Sequence, residues 1–190
     1  RAGTGCPVAR LIGVLVSGAG TNLPALLDAA LPVAAVASNV AGVGALDRAA
    51  QAGIPSAVFP LDSYDDRDAR DAAMALWLES NLVELVVCAG YMQLLRPSFL
   101  TRFPSAVVNV HPALLPAFPG VHAVSDALAA GLDETGASVH LVDEGVDTGT
   151  VLRQERVRVL AGDTVESLYA RIREVEHRLL PEVVRELANA

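Results

Sequence analysis

Short runs of β-branched and aliphatic residues recur along the chain, at Leu11–Val16, Val33–Ser38, Ala57–Pro60, Leu85–Ala89 and Ala106–His111. Between them lie longer stretches with helical spacing of apolar positions: one opening at Thr21-Asn22, one over Val43–Ala52 closed by Gly53, and one from about Asp65 to Ser80. Strand-length runs alternating with helical patterns predict successive βαβ units and a parallel sheet. After Pro119 the pattern changes, to a helix around Val124–Ala130 and then two runs with partial alternation, Ala137–Val142 and Val151–Val159. Alternation of that kind predicts a mixed, partly antiparallel end to the sheet. From Thr164 to the C-terminus, Val165, Leu168, Tyr169, Ile172, Val175, Leu179 and Leu180 form one apolar stripe, with Asp163 and Glu166 spaced as a capping pair. This predicts a long amphipathic helix, kinked at Pro181 by a ring and a missing amide.

With 190 residues, 52% of them hydrophobic, there is material for one sizeable core but not for two full domains. The reading is a single α/β domain over residues 10–190, behind a flexible leader at residues 1–9. Its sheet is expected to be Rossmann-like, doubly wound and mostly parallel, with a mixed, partly antiparallel C-terminal part. The apolar run Leu11–Val16 ends at Ser17-Gly18, far short of the roughly 20 residues a membrane span needs. It also lacks a cleavage pattern after it, so no secretory signal is read and a cytoplasmic location is expected. Cys6 in the leader and Cys88 in a predicted strand suggest neither a disulfide framework nor a metal site. All 14 basic residues are arginine, which excludes a Walker A loop and a lysine Schiff base. A net charge of -8 without an arginine-rich run disfavours nucleic-acid binding. An anionic ligand must then be held locally.

Four places concentrate polar chemistry. Ser17-Gly18-Ala19-Gly20-Thr21-Asn22 joins a strand to a helix, where backbone amides and the helix dipole favour an anion. The same residues also suit a tight turn capped by Thr21 or Asn22, and both readings stand at this point. The dinucleotide fingerprint is incomplete, since Leu23 replaces its third glycine and Ser38-Asn39 end the second strand without an acidic residue. In Val107–Pro112 the period of two puts Asn109 and His111 on one face at a strand's C-terminal end, where open α/β sheets bind ligands. Asp143–Gly149 is either a solvated turn or a site. Its Asp147-Thr148-Gly149 has the aspartic-protease triplet, but in one copy and in a helix-rich chain, which excludes that class. Glu176 interrupts the apolar stripe of the last helix, where a carboxylate needs a hidden partner or a ligand.

In order and spacing these segments, together with Ala37–Asn39, Ala89–Met92, Asn109–Pro116, Pro119–Ala123, Gly136–His140 and Glu176-His177, closely resemble the folate-dependent phosphoribosylglycinamide formyltransferase family. The resemblance runs from about Arg10 to Ala190. It implies transfer of a formyl group from 10-formyltetrahydrofolate, as cosubstrate, to the amine of 5-phosphoribosylglycinamide in purine biosynthesis, with no metal. It implies Asn109, His111 and Asp147 as a catalytic trio, Gly20, Thr21 and Asn22 on the phosphate, and Glu176 on the ribose hydroxyls. The folate is implied to lie against Arg67, Met92, Gln93, Leu94, Leu95, Asn109, and the segment Val142, Asp143, Glu144, Gly145, Val146. Gln93 stands where the family commonly has arginine, Ala113 where it has serine and Ala117 where it has lysine.

The expected partners are thus two small molecules, with no nucleic acid and no membrane, and a homodimer is allowed. Two relatives sharing the trio are set aside: a formyl-folate deformylase carries an N-terminal regulatory domain that the short leader does not match, and methionyl-tRNA formyltransferase adds a C-terminal RNA-binding domain and basic surfaces. A different class, a non-enzymatic nucleotide-binding module with the glycine loop as its only site, requires that Asn109, His111 and Asp147 do not converge.

Overall fold

The computed structural model describes residues 9–190. Of the leader read at residues 1–9, only Ala9 is included, and Cys6 lies outside the described residues. Five apolar runs pair in parallel as β1 (Ile12–Val16), β2 (Val33–Ser38), β3 (Ser56–Val58), β4 (Leu85–Cys88) and β5 (Val107–His111). Every residue of β1 and β4 is buried, because helices cover both faces of a parallel sheet. The crossovers carry α1 (Asn22–Asp28), α2 (Gly44–Gln51) and α3 (Arg67–Ser80), with a short α4 (Pro97–Leu100) before β5. After α5 (Ala123–Ala129), β6 (Glu134–Leu141) and β7 (Val151–Arg158) add in antiparallel fashion, and α6 (Val165–Ala188) returns across α1, β6 and β7. The strand order is β3-β2-β1-β4-β5-β6-β7. This is the expected doubly wound sheet with an antiparallel end, and its order reverses between β1 and β4. The crevice above the C-terminal ends of those strands is where such sheets receive ligands.

Local differences from the sequence reading have physical reasons. β3 begins at Ser56 and ends at Val58, since Pro60 has no amide to give to the ladder. α4 and a 3-10 turn at Leu61–Ser63 are too short to leave a periodic signal. The cap of α6 is Thr164, whose hydroxyl accepts from the Ser167 amide while the Ser167 hydroxyl accepts from the Thr164 amide. The expected Asp163–Glu166 pair does not form. Asp163 instead binds Arg171 and accepts from the Leu160 amide, bonds that hold its carboxyl well below the usual range. The helix span continues through the buried Pro181 to Ala188.

One buried ion pair shapes the crevice wall. Arg70 and Asp71, 1% and 0% exposed, meet with Arg70 Nε 2.8 Å from Asp71 Oδ1. The second carboxylate oxygen of Asp71 accepts from the Arg96 amide at 2.8 Å, anchoring the end of the 89–96 loop. Removing one partner of such a pair leaves the other charge buried and unpaired. Asp71→Ala is therefore expected to lower the unfolding free energy by about 3–5 kcal/mol, read as a drop in the denaturant midpoint. A loss below about 1 kcal/mol would show that the pair is not structural.

Candidate active site

Beyond the C-terminal ends of β1, β4 and β5 opens a cavity of about 570 Å³. β5 delivers Asn109 and His111, and its antiparallel partner β6 places His140 directly across from Asn109. The loop after β6 delivers Asp147. Asp143 shapes that loop by accepting from the Gly145 amide (3.0 Å) and the Thr148 hydroxyl (2.7 Å), and Asp147 itself adopts a left-handed φ of 53°. Aspartate tolerates that region better than most side chains, at a strain of order 1 kcal/mol.

Four nitrogen atoms converge on the Asp147 carboxylate. Oδ2 accepts from the Gly120 amide at 2.7 Å and lies 3.3 Å from His111 Nδ1. Oδ1 lies 3.4 Å from His140 Nε2 and 3.5 Å from Asn109 Nδ2. Burial pushes the Asp147 carboxyl up, but hydrogen bonds from His140 and Gly120 and the charges of His111 and His140 outweigh it and bring it to about 2. The opposite nitrogens of both rings face carbonyls: His111 Nε2 donates to Phe118 O (2.7 Å) and His140 Nδ1 to Leu141 O (2.8 Å). His140 Nε2 also lies 3.2 Å from the Asn109 amide nitrogen, so this one ring atom faces both Asn109 and Asp147. The trio implied by the family resemblance thus meets in one cleft, which rules out a module whose only site is the glycine loop. His140 completes it. Sequence reading quoted His140 without a role, and only the β5–β6 register reveals it.

The glycine loop is braced from behind by α2. The Gly18 carbonyl accepts from the Ala45 amide (3.4 Å), the Ala19 carbonyl from Arg48 Nε (3.3 Å), and the Gly20 carbonyl from the Leu23 amide (3.0 Å). In a trans peptide the N–H points opposite the C=O, so the amides of residues 19 to 21 face away from these partners. Gly20 has a φ of 61°, and a Cβ there would lie 2.5 Å from the Ala45 Cβ. A larger residue at 20 therefore strikes α2. Thr21 makes no side-chain cap. Asn22 is buried and faces the cavity beside Glu176, with its Oδ1 unpartnered.

Glu176 is 2% exposed and lines the same cavity. Burial pushes its carboxyl up to about 7, against the Asn22 amide and the Arg173 charge, which pull it down. Of the other residues expected at the site, Met92, Gln93, Leu94, Leu95, Val142, Asp143, Gly145 and Val146 line the cavity. Gly20, Thr21, Arg67 and Glu144 do not. Gly20 is buried against α2, Thr21 faces a neighbouring cleft with Arg48 and His177, and Arg67 is exposed at the start of α3. Cys88 is buried in β4 and its thiol is pushed up to about 12, so it offers no nucleophile. Among the described residues no group of three or more histidine, cysteine or carboxylate side chains is arranged to hold a metal ion, and no helix is long and apolar enough to cross a membrane.

The raised Glu176 carboxyl has a signed consequence for stability. Between the unfolded value of 4.5 and the folded value of about 7 the native state holds a proton that the unfolded chain has lost, so this group's contribution falls as pH rises through that window. Glu176→Gln is expected to remove this loss, on the order of 3 kcal/mol, and to raise the melting temperature relative to wild type above pH 7 but not at pH 4. Parallel stability profiles for the two proteins across that window would place the Glu176 carboxylate in water.

The formyl transferase family matches residues 10–184. The chain is 48% identical over 187 residues to the phosphoribosylglycinamide formyltransferase of Mycobacterium tuberculosis, covering 95% of this chain and 86% of that one. It is 42% identical to the trifunctional purine biosynthetic protein adenosine-3 of Chironomus tentans over 94% of its own length, but spans only 14% of that protein. The solved glycinamide ribonucleotide transformylase 1 of Symbiobacterium toebii superimposes with a TM-score of 0.93 at 46% identity, covering 95% of this chain and 88% of that one. With these relatives matched across a cleft in which Asn109, His111 and Asp147 converge, the chain belongs to the phosphoribosylglycinamide formyltransferase family.

Proposed function

We propose that the cavity holds 5-phosphoribosylglycinamide and 10-formyltetrahydrofolate side by side and moves the formyl group to the glycinamide amine, giving formyl-phosphoribosylglycinamide and tetrahydrofolate, as a step of purine biosynthesis in the cytoplasm. The observation that carries this reading is the convergence of Asn109, His111 and His140 on Asp147, between two poles of different character. At one pole the amides of the glycine loop face away from α2, and Asn22 and Glu176 line the wall. Backbone amides suit the phosphate, and the Glu176 carboxylate suits ribose hydroxyls. At the other pole Met92, Leu94 and Val146 are 62%, 44% and 46% exposed, an apolar rim that a flat pterin ring would cover. Arg67, outside the lining, is left for the anionic end of the folate.

The neutral amine attacks the formyl carbon, the C–N bond forms, and the carbonyl electron pair moves onto oxygen. That oxygen competes for the N–H groups of Asn109 and His111, which in the free protein are directed at Asp147, His140 and Phe118. These donors stabilise the developing charge of the tetrahedral adduct, and no covalent bond to the protein is formed. Asp147 takes the amine proton through water while it orients the two rings, and the same proton leaves with the folate nitrogen as its bond to the formyl carbon breaks. No net proton is gained or lost.

Formyl transfer from 10-formyltetrahydrofolate to phosphoribosylglycinamide, followed by product formation, tests the reading. Asn109→Ala, His111→Ala and Asp147→Ala are each expected to lower kcat by about 100-fold or more, the scale of losing a transition-state donor or relay. Because all three act on one charge, a triple variant should fall far short of the product of the single losses. Near-normal turnover in any single variant removes that residue from the mechanism, and formate release in place of transfer would mark a hydrolase.

A further inference from the structure

Ser17 follows the last residue of β1 and begins the glycine loop, yet it does not line the cavity. Its polar groups reach two other segments. Its amide donates to the Gly90 carbonyl at 3.2 Å, and its hydroxyl accepts from the Met92 amide at 2.8 Å. The hydroxyl's own proton goes to Asn39 Oδ1, 2.6 Å away beyond the end of β2. A hydroxyl has a single proton, so the bond to Asn39 fixes its direction and leaves a lone pair aimed at Met92. Two bonds thus tie the first residue of the glycine loop to the loop that carries Met92–Leu95. On its other side the glycine loop is held by Ala45 and Arg48 of α2, through the carbonyls of Gly18 and Ala19. The 89–96 loop is likewise held at its far end, where the Arg96 amide meets Asp71. Each loop is anchored away from the crevice, and Ser17 is where the two meet.

We propose that Ser17 is a positioning residue that couples the two halves of the cavity, so that a ligand ordering one loop prepares the other. The inference rests on the reading above, that residues 20–22 take the phosphate and residues 92–95 the folate. A coupling of this kind is reciprocal: each ligand must tighten the other by the same factor. Asn39 serves the joint from outside both loops, by holding the hydroxyl in the one orientation that accepts from Met92.

The test is calorimetric titration of phosphoribosylglycinamide, alone and in the presence of a folate analogue whose formyl-bearing nitrogen is replaced by carbon so that no transfer occurs, together with the reciprocal titration. Wild type is expected to show mutual tightening of about fivefold, within the usual range for coupled sites. In Ser17→Ala the factor should fall to near one. Asn39→Ala should lower it to the same value, and the double variant no further, because both act through one hydroxyl. If Ser17→Ala does not fold, Asn39→Ala carries the test. Retention of the wild-type factor in the folded variants overturns the proposal, as does a wild type that binds both ligands with no mutual tightening. A wild type that binds neither ligand overturns the functional reading and this inference together.

Discussion

An aspartate carboxylate within 3.5 Å of four nitrogens from three other segments is the constraint around which the ligand end of this fold is arranged. Gly120 comes from the proline-rich loop after β5, Asn109 and His111 from β5, His140 from β6, and Asp147 from the loop that follows. None of these groups can be buried alone without cost, and the low-dielectric setting that penalises a stray charge makes the satisfied cluster rigid. The β5–β6 register is what allows it. Asn109 pairs with His140 and His111 with Ser138, so a slip of one residue would turn every one of these side chains to the opposite face. Ser138, turned into the core, receives the Leu115 amide and donates to the Ala113 carbonyl, which draws the proline-rich loop back over the sheet and brings Gly120 to Asp147.

The same carboxylate sits between two regions that need opposite surroundings. The strand order reverses between β1 and β4, and the crevice created there has a glycine loop at the end of β1 and an apolar loop beyond β4. A chain with net charge -8 has no general attraction for an anion, so an anionic ligand would need oriented amides and a few placed side chains. Glu176 shows what that arrangement costs. Held at 2% exposure on an otherwise apolar helix face, its carboxyl is shifted to about 7 in the free protein. A carboxyl that costs stability where it lines a cavity is the usual compromise between stability and function.

How much of this could be read in advance depended on the range of the interaction. The strands and the long helices were legible, because their apolar spacing is local and repeated. α4 was not, since four residues opened by Pro97 carry no period. The cap of α6 was placed one residue early: Asp163–Glu166 and Thr164–Ser167 have the same spacing, and only the chain's trajectory decides which hydroxyl or carboxylate meets the free amides. At the site, Asn109 and His111 were visible as two polar residues on one face of a core strand, and Glu176 as a carboxylate on an apolar stripe. His140 was hidden because its partner is 31 residues away, across a strand pair whose register no local pattern states. The bracing of the glycine loop by Arg48 was equally hidden, since the stretch from 17 to 47 contains no arginine and the cation folds back from the next helix.

The claim that Asp147 organises both imidazoles is tested most directly by heteronuclear NMR of the histidine ring nitrogens in the free protein, comparing wild type with Asp147→Asn. The geometry predicts that in wild type His140 carries its proton on Nδ1 against the Leu141 carbonyl, and that the resonances of His111 and His140 shift together in the variant. Those of His177, on a distant face of α6, should stay in place. Unchanged His111 and His140 resonances in a folded Asp147→Asn protein would contradict the account, because the carboxylate would then hold neither ring.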